Sequence, residues 1–185
     1  MSDKTSVAES TIQKEIWTLD PTHSKIQFTA RHLIISEVQG HFNSFDLKLT
    51  ADDDFDDSEI KVTIDAKSID TGVTDRDNHL RSADFFDVES YPEIHFAGKK
   101  IEKVNDEKFK LFGDLTIKNI TKPIELDVTY GGTIKDPWGK TRAGFKIQGS
   151  LNRFDYELKW NALMETGGAI VGKTINLVCD VEVVK

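Results

Sequence analysis

Cysteine is nearly absent from this chain of 185 residues: Cys179 stands alone, so no intrachain disulfide framework exists. Its phase with Leu177 and Val181 makes it a small hydrophobe on the dry side of a strand. Nothing near it in sequence supplies the base that a reactive thiol needs. Long apolar runs are missing as well, which excludes a membrane-spanning helix. There is no cluster of Lys and Arg, and the net charge is −8, so nucleic acid is not expected as a partner. The same charge disfavours long residence on an anionic membrane, leaving brief contact to collect or deliver a ligand. Residues 1–15 are polar, with no apolar h-region, no twin-Arg pair and no Cys to accept a lipid. They read as a disordered leader on a cytoplasmic protein, followed by one domain over 16–185.

Catalytic signatures are absent too. The chain has no H-E-x-x-H, no pair of His on one element, no Cys pair, no G-x-S-x-G elbow and no phosphate-cradling glycine loop. No catalytic residue, metal or cofactor is therefore expected.

What is present is a rhythm of two. Ile26, Phe28, Ala30 and His32 alternate with Lys25, Gln27, Thr29 and Arg31. Phe45, Leu47 and Leu49 repeat the pattern, as do Ile60, Val62, Ile64 and Ala66. It returns in Phe109 to Ile117, Ile124 to Tyr130, Ala143 to Leu151 and Ile175 to Val183. With shorter runs near Trp17 and Ile94, eight or nine strands emerge, each with one wet and one dry face. That is the signature of an antiparallel sheet. Without βαβ alternation the class is all-β, and so many amphipathic strands must pair as a sandwich or close on themselves.

The alternation places Ile26, Phe28, Phe45, Leu47, Ile64, Phe109, Leu115, Ile117, Leu126, Phe145, Ile147 and Leu177 towards one interior. Phe42 and Phe45 fall out of phase, which predicts a bulge at Asn43 and Ser44. Ala51–Ser58 reads as an acidic turn, Lys118–Pro123 as a tight one, and Gly131, Gly132, Pro137 and Gly139 as a longer loop. Thr74 with Asp75 and Asp77 reads as the N-cap of a short helix that puts Arg76, His79, Leu80 and Ala83 on one face. The irregular stretch 152–172, which contains Trp160, is left open between loop, short helix and strand.

These residues carry a resemblance. Trp17-Thr18-Leu19-Asp20-Pro21-Thr22-His23-Ser24, His32, Gly40-His41-Phe42 and Ser68-Ile69-Asp70-Thr71-Gly72 precede Arg76-Asp77-Asn78-His79-Leu80. Asp84-Phe85-Phe86-Asp87, Tyr91-Pro92, Gly113-Asp114-Leu115-Thr116-Ile117 and Asn152-Arg153-Phe154-Asp155 follow. Each piece alone is weak; their order and spacing are specific. Over Trp17 to Val184 the chain resembles the YceI-like family of polyisoprenoid-binding proteins. The resemblance implies an extended, lipocalin-like antiparallel barrel of eight strands with a helix beside it. It further implies an apolar channel for a long-chain isoprenoid or related amphiphile, and often a homodimer. Many bacterial members carry an export signal, a feature the leader of this chain does not share.

The function this suggests is non-catalytic: a lipid held for storage, transport or protection under stress. The rival is a hydrolase or isomerase acting on an amphiphile through His, Asp or Arg at the barrel mouth. Phe-rich interior faces fit a filled core as well as a channel. The head-group candidates are His32, Arg76 and His79. Each has a structural alternative: a hydrogen-bonded core histidine, an ion pair with Asp75, Asp77 or a strand acid, and the cap of a backbone carbonyl, respectively. The wall expected around the tail is Leu80, Phe28, Phe45, Phe86, Phe96, Leu115, Ile117, Phe145 and Trp160. His23 is expected to hydrogen-bond locally at the Asp20 turn, and Arg153 to pair with Asp155 or an acid elsewhere. With few free cations at the mouth, a neutral head such as a quinone or an amide is expected over a pyrophosphate.

Overall fold

Alternating wet and dry residues make the strands of this protein, and turn chemistry decides where each one breaks. The computed structural model describes residues 14–52, 54–162 and 170–185. Its strands are β1 (Glu15–Leu19), β2 (Lys25–His32), β3 (Ser36–Phe42), β4 (Phe45–Ala51), β5 (Glu59–Asp65), β6 (Ile69–Asp70), β7 (Glu93–Lys103), β8 (Lys108–Ile117), β9 (Ile120–Lys135), β10 (Thr141–Asn152) and β11 (Val171–Val184). One α-helix, α1 (Thr74–Arg81), lies between β6 and β7.

Three pairs of these strands are halves of longer ribbons. β1 runs on into β2 through the Asp20 turn, β3 into β4 through a break at residues 43–44, and β5 into β6 through a 3-10 turn at Ala66–Ser68. So counted, eight antiparallel ribbons follow one another in sequence order, and β11 returns to pair with both β1 and β2. The sheet is a closed eight-stranded barrel. Closure leaves few unpaired sheet edges, and the dry face of every ribbon must then point inward. β8 shows this cleanly: Phe109, Leu111, Gly113, Leu115 and Ile117 are buried, and the residues between them are less so.

Local irregularities follow from what each position must do. The break at 43–44 lets both Phe42 and Phe45 face inward, as their phase predicts. Gly40 has no room for a side chain, since an added Cβ would lie 2.4 Å from Cζ of Phe28. Gly131 and Gly132 do not begin a loop; they lie inside β9. Gly132 takes φ 108 beside Gly144, where the register with β10 shifts, so the pair serves a bulge in a long strand. The loop is only Asp136–Lys140. Thr74 does not cap α1 either: the helix begins at Thr74, and its cap position is Val73, which offers no side-chain bond. The anchoring acceptor is buried Asp77, which takes the Thr71 N–H at 2.9 Å and the Thr71 hydroxyl at 2.5 Å. Of the leader over 1–15, all but Lys14 and Glu15 lies outside the described residues. Glu15 already pairs with Ala51 in β1.

One end of the barrel is shut. Phe55, in the acidic turn after β4, takes φ 61 and folds its ring back inside, where it is buried. Its centroid lies 5.1 Å from Trp17, 5.0 Å from Phe145 and 5.9 Å from Tyr130. Beside this aromatic plug Arg142 ties three chain segments. It donates to Asp20 at the β1–β2 turn (2.6 Å), to Asp136 in the β9–β10 loop (2.8 Å) and to Glu182 of β11 (2.6 Å).

Hydrogen bonds from His23 and Arg142 hold the Asp20 carboxyl well below the usual carboxylate range. Arg142 and the backbone N–H groups of Lys140 and Trp138 lower that of Asp136. Both folded pKa values lie below the unfolded ones. The latch therefore stabilises the fold above about pH 4, and its contribution fades as pH falls towards the folded values. Arg142→Met is expected to melt below the parent protein near pH 7. The difference should narrow as thermal melts are repeated from about pH 4 down to about pH 2.

Candidate functional site

The inner faces of the ribbons do not meet. They enclose a cavity of about 650 Å³ that runs from the plug to the opposite end of the barrel. A void of this size is within the usual range for small-molecule sites. At about 3.3 Å per residue and a tilt near 40°, the 14 residues of β11 give the barrel a height of roughly 35 Å, so the space is long and slender. All twelve residues assigned inward by alternation line it.

Its wall is apolar almost throughout, and its charged and imidazole groups gather at the open end. There Arg31, His32, Thr71, Asp75, Arg76 and His79 stand with Leu80, Trp160 and Ile170 around the mouth. His32, Arg76, His79, Leu80, Phe28, Phe45, Phe86, Phe96, Leu115, Ile117, Phe145 and Trp160, the residues expected to touch a ligand, all face this one space. The first three and Trp160 are at the mouth, and the remaining aromatics are deeper.

The partners of the mouth residues differ from expectation. Arg76 forms no ion pair with Asp75 or Asp77. It donates from Nε to the Thr71 hydroxyl (2.7 Å) and from Nη2 to the Thr71 carbonyl (2.9 Å). Thr71 thus connects Arg76 to Asp77, which fixes the guanidinium while its Nη1 makes no hydrogen bond among the described residues. His79 caps no carbonyl among the described residues. Its Nε2 lies 2.9 Å from the Asp84 carboxylate, and its ring stands edge-on to Trp160 (4.5 Å) and Phe85 (5.2 Å). The ring of His32 has no hydrogen-bond partner among the described residues. His23 behaves as its turn suggests: Nδ1 lies 3.0 Å from Asp20, away from the cavity.

Arg153 is the largest departure. It pairs with no acid among the described residues, yet it is only 2% exposed. Its guanidinium donates to four carbonyls, those of Gly172 (2.9 Å), Trp160 (2.9 Å), Val171 (3.1 Å) and Leu158. Desolvation pushes its pKa down. These bonds shape the stretch left open in sequence. A 3-10 turn at Arg153–Tyr156, capped by Asn152, leads to Leu158 and Trp160, and Arg153 fastens that loop to the start of β11. Nothing local in Asn152-Arg153-Phe154-Asp155 signals such partners, because they lie on chain segments up to nineteen positions away.

Reactive groups are few. Burial pushes the Cys179 thiol up to about 11, which keeps it protonated and inert. Asp20, His23 and Glu182 offer ligand atoms within 4.8 Å of one another. Arg142 already donates to both carboxylates of that cluster, so Asp20 and Glu182 each have a cationic partner without an ion.

Comparison with known proteins agrees with this architecture. The YceI-like domain model matches residues 17–183. A UPF0312 protein of Staphylococcus epidermidis is 39% identical over 165 residues, covering 88% of this chain and 94% of its own. A UPF0312 protein of Staphylococcus aureus is 36% identical over 168 residues, covering 90% and 95%. Among solved structures, the YCEI protein of Campylobacter jejuni superposes with a TM-score of 0.74 at 31% identity, covering 100% of this chain and 99% of its own. BcnA of Burkholderia cenocepacia gives 0.77 at 20% identity, covering 89% and 98%. A polyisoprenoid binding domain from Saccharophagus degradans gives 0.65 at 14% identity, covering 90% and 97%. The last two share the fold.

Arg153→Ala would leave four carbonyls at the mouth without their donor. Urea unfolding is expected to show a loss of about 3 kcal/mol or more, each buried unpaired acceptor costing about 1–3 kcal/mol. Arg153→Lys should recover only part of it, because an ammonium cannot span the fork of acceptors.

Proposed function

This chain belongs to the YceI-like domain family, and on that premise we propose that it binds one long-chain amphiphilic lipid without transforming it. The ligand class is a polyisoprenoid, such as a prenyl quinone or a polyprenyl phosphate. The observation that carries the reading is the polarity of the cavity: apolar nearly throughout from the plug upward, with its charged and imidazole side chains collected at the mouth. A molecule that matches it has a slender apolar tail and one polar head. The Saccharophagus degradans domain, named for polyisoprenoid binding, has the same fold.

Energetics set the role. Burying the tail gains about 0.8 kcal/mol per methylene-sized group relative to water. The bilayer offers nearly the same, so the barrel makes extraction tolerable and leaves selectivity to cavity shape and head contacts. That balance suits storage, transport or protection of the lipid. The non-catalytic reading is supported by the fold neighbour named for binding and by the cavity thiol, Cys179, which burial holds protonated.

The head is neutral or weakly polar. Arg153 is saturated by carbonyls, Arg31 at the rim stands opposite Glu37 across the ladder, and Asp75 adds a negative charge to the same mouth. The cations of the mouth are thus largely offset, and the Nη1 of Arg76 and the ring of His32 are the donors assigned to the head. Two such bonds, each worth about 1 kcal/mol net, suit a quinone or an amide better than a pyrophosphate.

Mass spectrometry of an organic extract of protein purified without detergent is expected to find a prenyl lipid; an empty extract from protein that also fails to take up added prenyl lipids would refute the reading. In titrations of delipidated protein with matched prenyl ligands, the neutral head should bind more tightly than the pyrophosphate. Steep weakening of pyrophosphate binding with salt would instead reveal a cationic pocket. Leu80→Asp, which puts a charge on the helix face lining the cavity, should lower both melting temperature and retained lipid.

A further inference from the structure

The hairpin joining β2 to β3 has a tip that its fold does not need. Leu33 and Ile34 take φ 51 and φ 69, the left-handed region that Asn and Gly enter readily and that a β-branched side chain resists. The turn is nevertheless built from Leu33, Ile34 and Ile35, and Ile34 and Ile35 are 62% and 86% exposed. Backbone strain that presents an apolar side chain to solvent points to a use for that side chain.

Its place suggests the use. Arg31 and His32 at the foot of the hairpin line the mouth of the cavity, and so does Val38 on the returning strand. The Leu33 N–H donates to the Ile170 carbonyl (2.9 Å), and Ile170 lines the mouth as well. Across the opening, Val73 is 47% exposed at the start of α1, whose Arg76, His79 and Leu80 form another part of the rim. The large exposed apolar residues Val104, Ile134 and Trp138 belong to the plugged end, where no cavity opens. Charge at the tip is balanced: Leu33, Ile34 and Ile35 carry none, and Arg31 faces Glu37 across the ladder.

We propose that this tip is the surface by which the protein lies on a bilayer, with Ile34 and Ile35 among the acyl chains and the cavity mouth against the membrane. The inference rests on the lipid-binding reading. A ligand with a long apolar tail has almost no free concentration in water, so it must enter from a membrane through the mouth that this hairpin borders. A tip without net charge on a protein of net charge −8 selects a zwitterionic surface over an anionic one.

The test is transfer of a fluorescent polyprenol, supplied either in phosphatidylcholine vesicles or by dilution from ethanol without vesicles. Ile34→Asn combined with Ile35→Ser should slow uptake from vesicles at least tenfold and leave the amount bound from ethanol unchanged. Because Asn accepts the left-handed conformation, the variant should melt at the parent temperature or about 2–4 °C above it. Trp138→Ala, at the plugged end, should transfer at the parent rate, and adding anionic lipid to the vesicles should not accelerate uptake. Parent-like transfer by the tip variant would overturn the proposal. So would equal loss from vesicles and ethanol, or loss of a dimer with transfer intact, which would assign the tip to a second copy of the chain. Failure of the parent protein to bind from either source would overturn the lipid-binding reading itself, and this one with it.

Discussion

Closure of the sheet rests on β11. It pairs with β10 along most of its length, with β2 from Val171 to Asp180 and with β1 through Val183 and Val184. Remove that seam and the barrel becomes an open sheet with an apolar face in water. Two arginines fix its ends. Arg153 takes the carbonyls of Val171 and Gly172 where β11 begins, and Arg142 holds Glu182 where it finishes. The two do so by opposite physics. Arg142 is partly exposed and matched by carboxylates, so its hold depends on pH. Arg153 is buried and matched by carbonyl dipoles, which carry no proton to gain or lose. The mouth is thus organised by acceptors that acid does not protonate.

Hollowness follows from the same closure. Eight strands at barrel tilt enclose more space than their inward side chains fill when no residue crosses the middle. Packing is dense at the plugged end, where Trp17, Leu49, Phe55 and Val183 are buried together. Beyond the plug several inward residues are only partly buried, among them Ile26, Phe28, Phe45, Ile147 and Leu177. A protein that needed its core for stability alone would be expected to fill this space, since each void forfeits contacts. Here stability comes from long ladders, the two arginines and the plug, which frees the centre for a guest.

Alternation made the strands legible because burial in a barrel is one-sided and period two is unambiguous. The Phe42 and Phe45 mismatch even disclosed its bulge. Errors arose where a residue is governed by something distant. Gly131-Gly132 looked like a loop because a bulge in a 16-residue strand has the same composition as a turn. Thr74 looked like a cap, but Asp77 reaches outside the helix to Thr71. Arg153 looked like half of an ion pair, although four carbonyls from a loop and a strand bind it. The acidic turn concealed Phe55, since five aspartates suggest a wet loop and their single aromatic neighbour carries no pattern. The candidate site was legible to the extent that it is wall, and obscure where it is rim.

Phe55 gives the barrel a floor that belongs to no strand. The depth of the cavity is therefore set by one loop side chain, held by aromatic contacts and by a backbone conformation that a smaller residue would not need. A change confined to that turn would lower or raise the floor while every ladder and the whole rim stayed in place. On the proposed reading, tail length and head chemistry are in consequence separable traits, read at opposite ends of the molecule. Variants of this chain can drift in the first without disturbing the second.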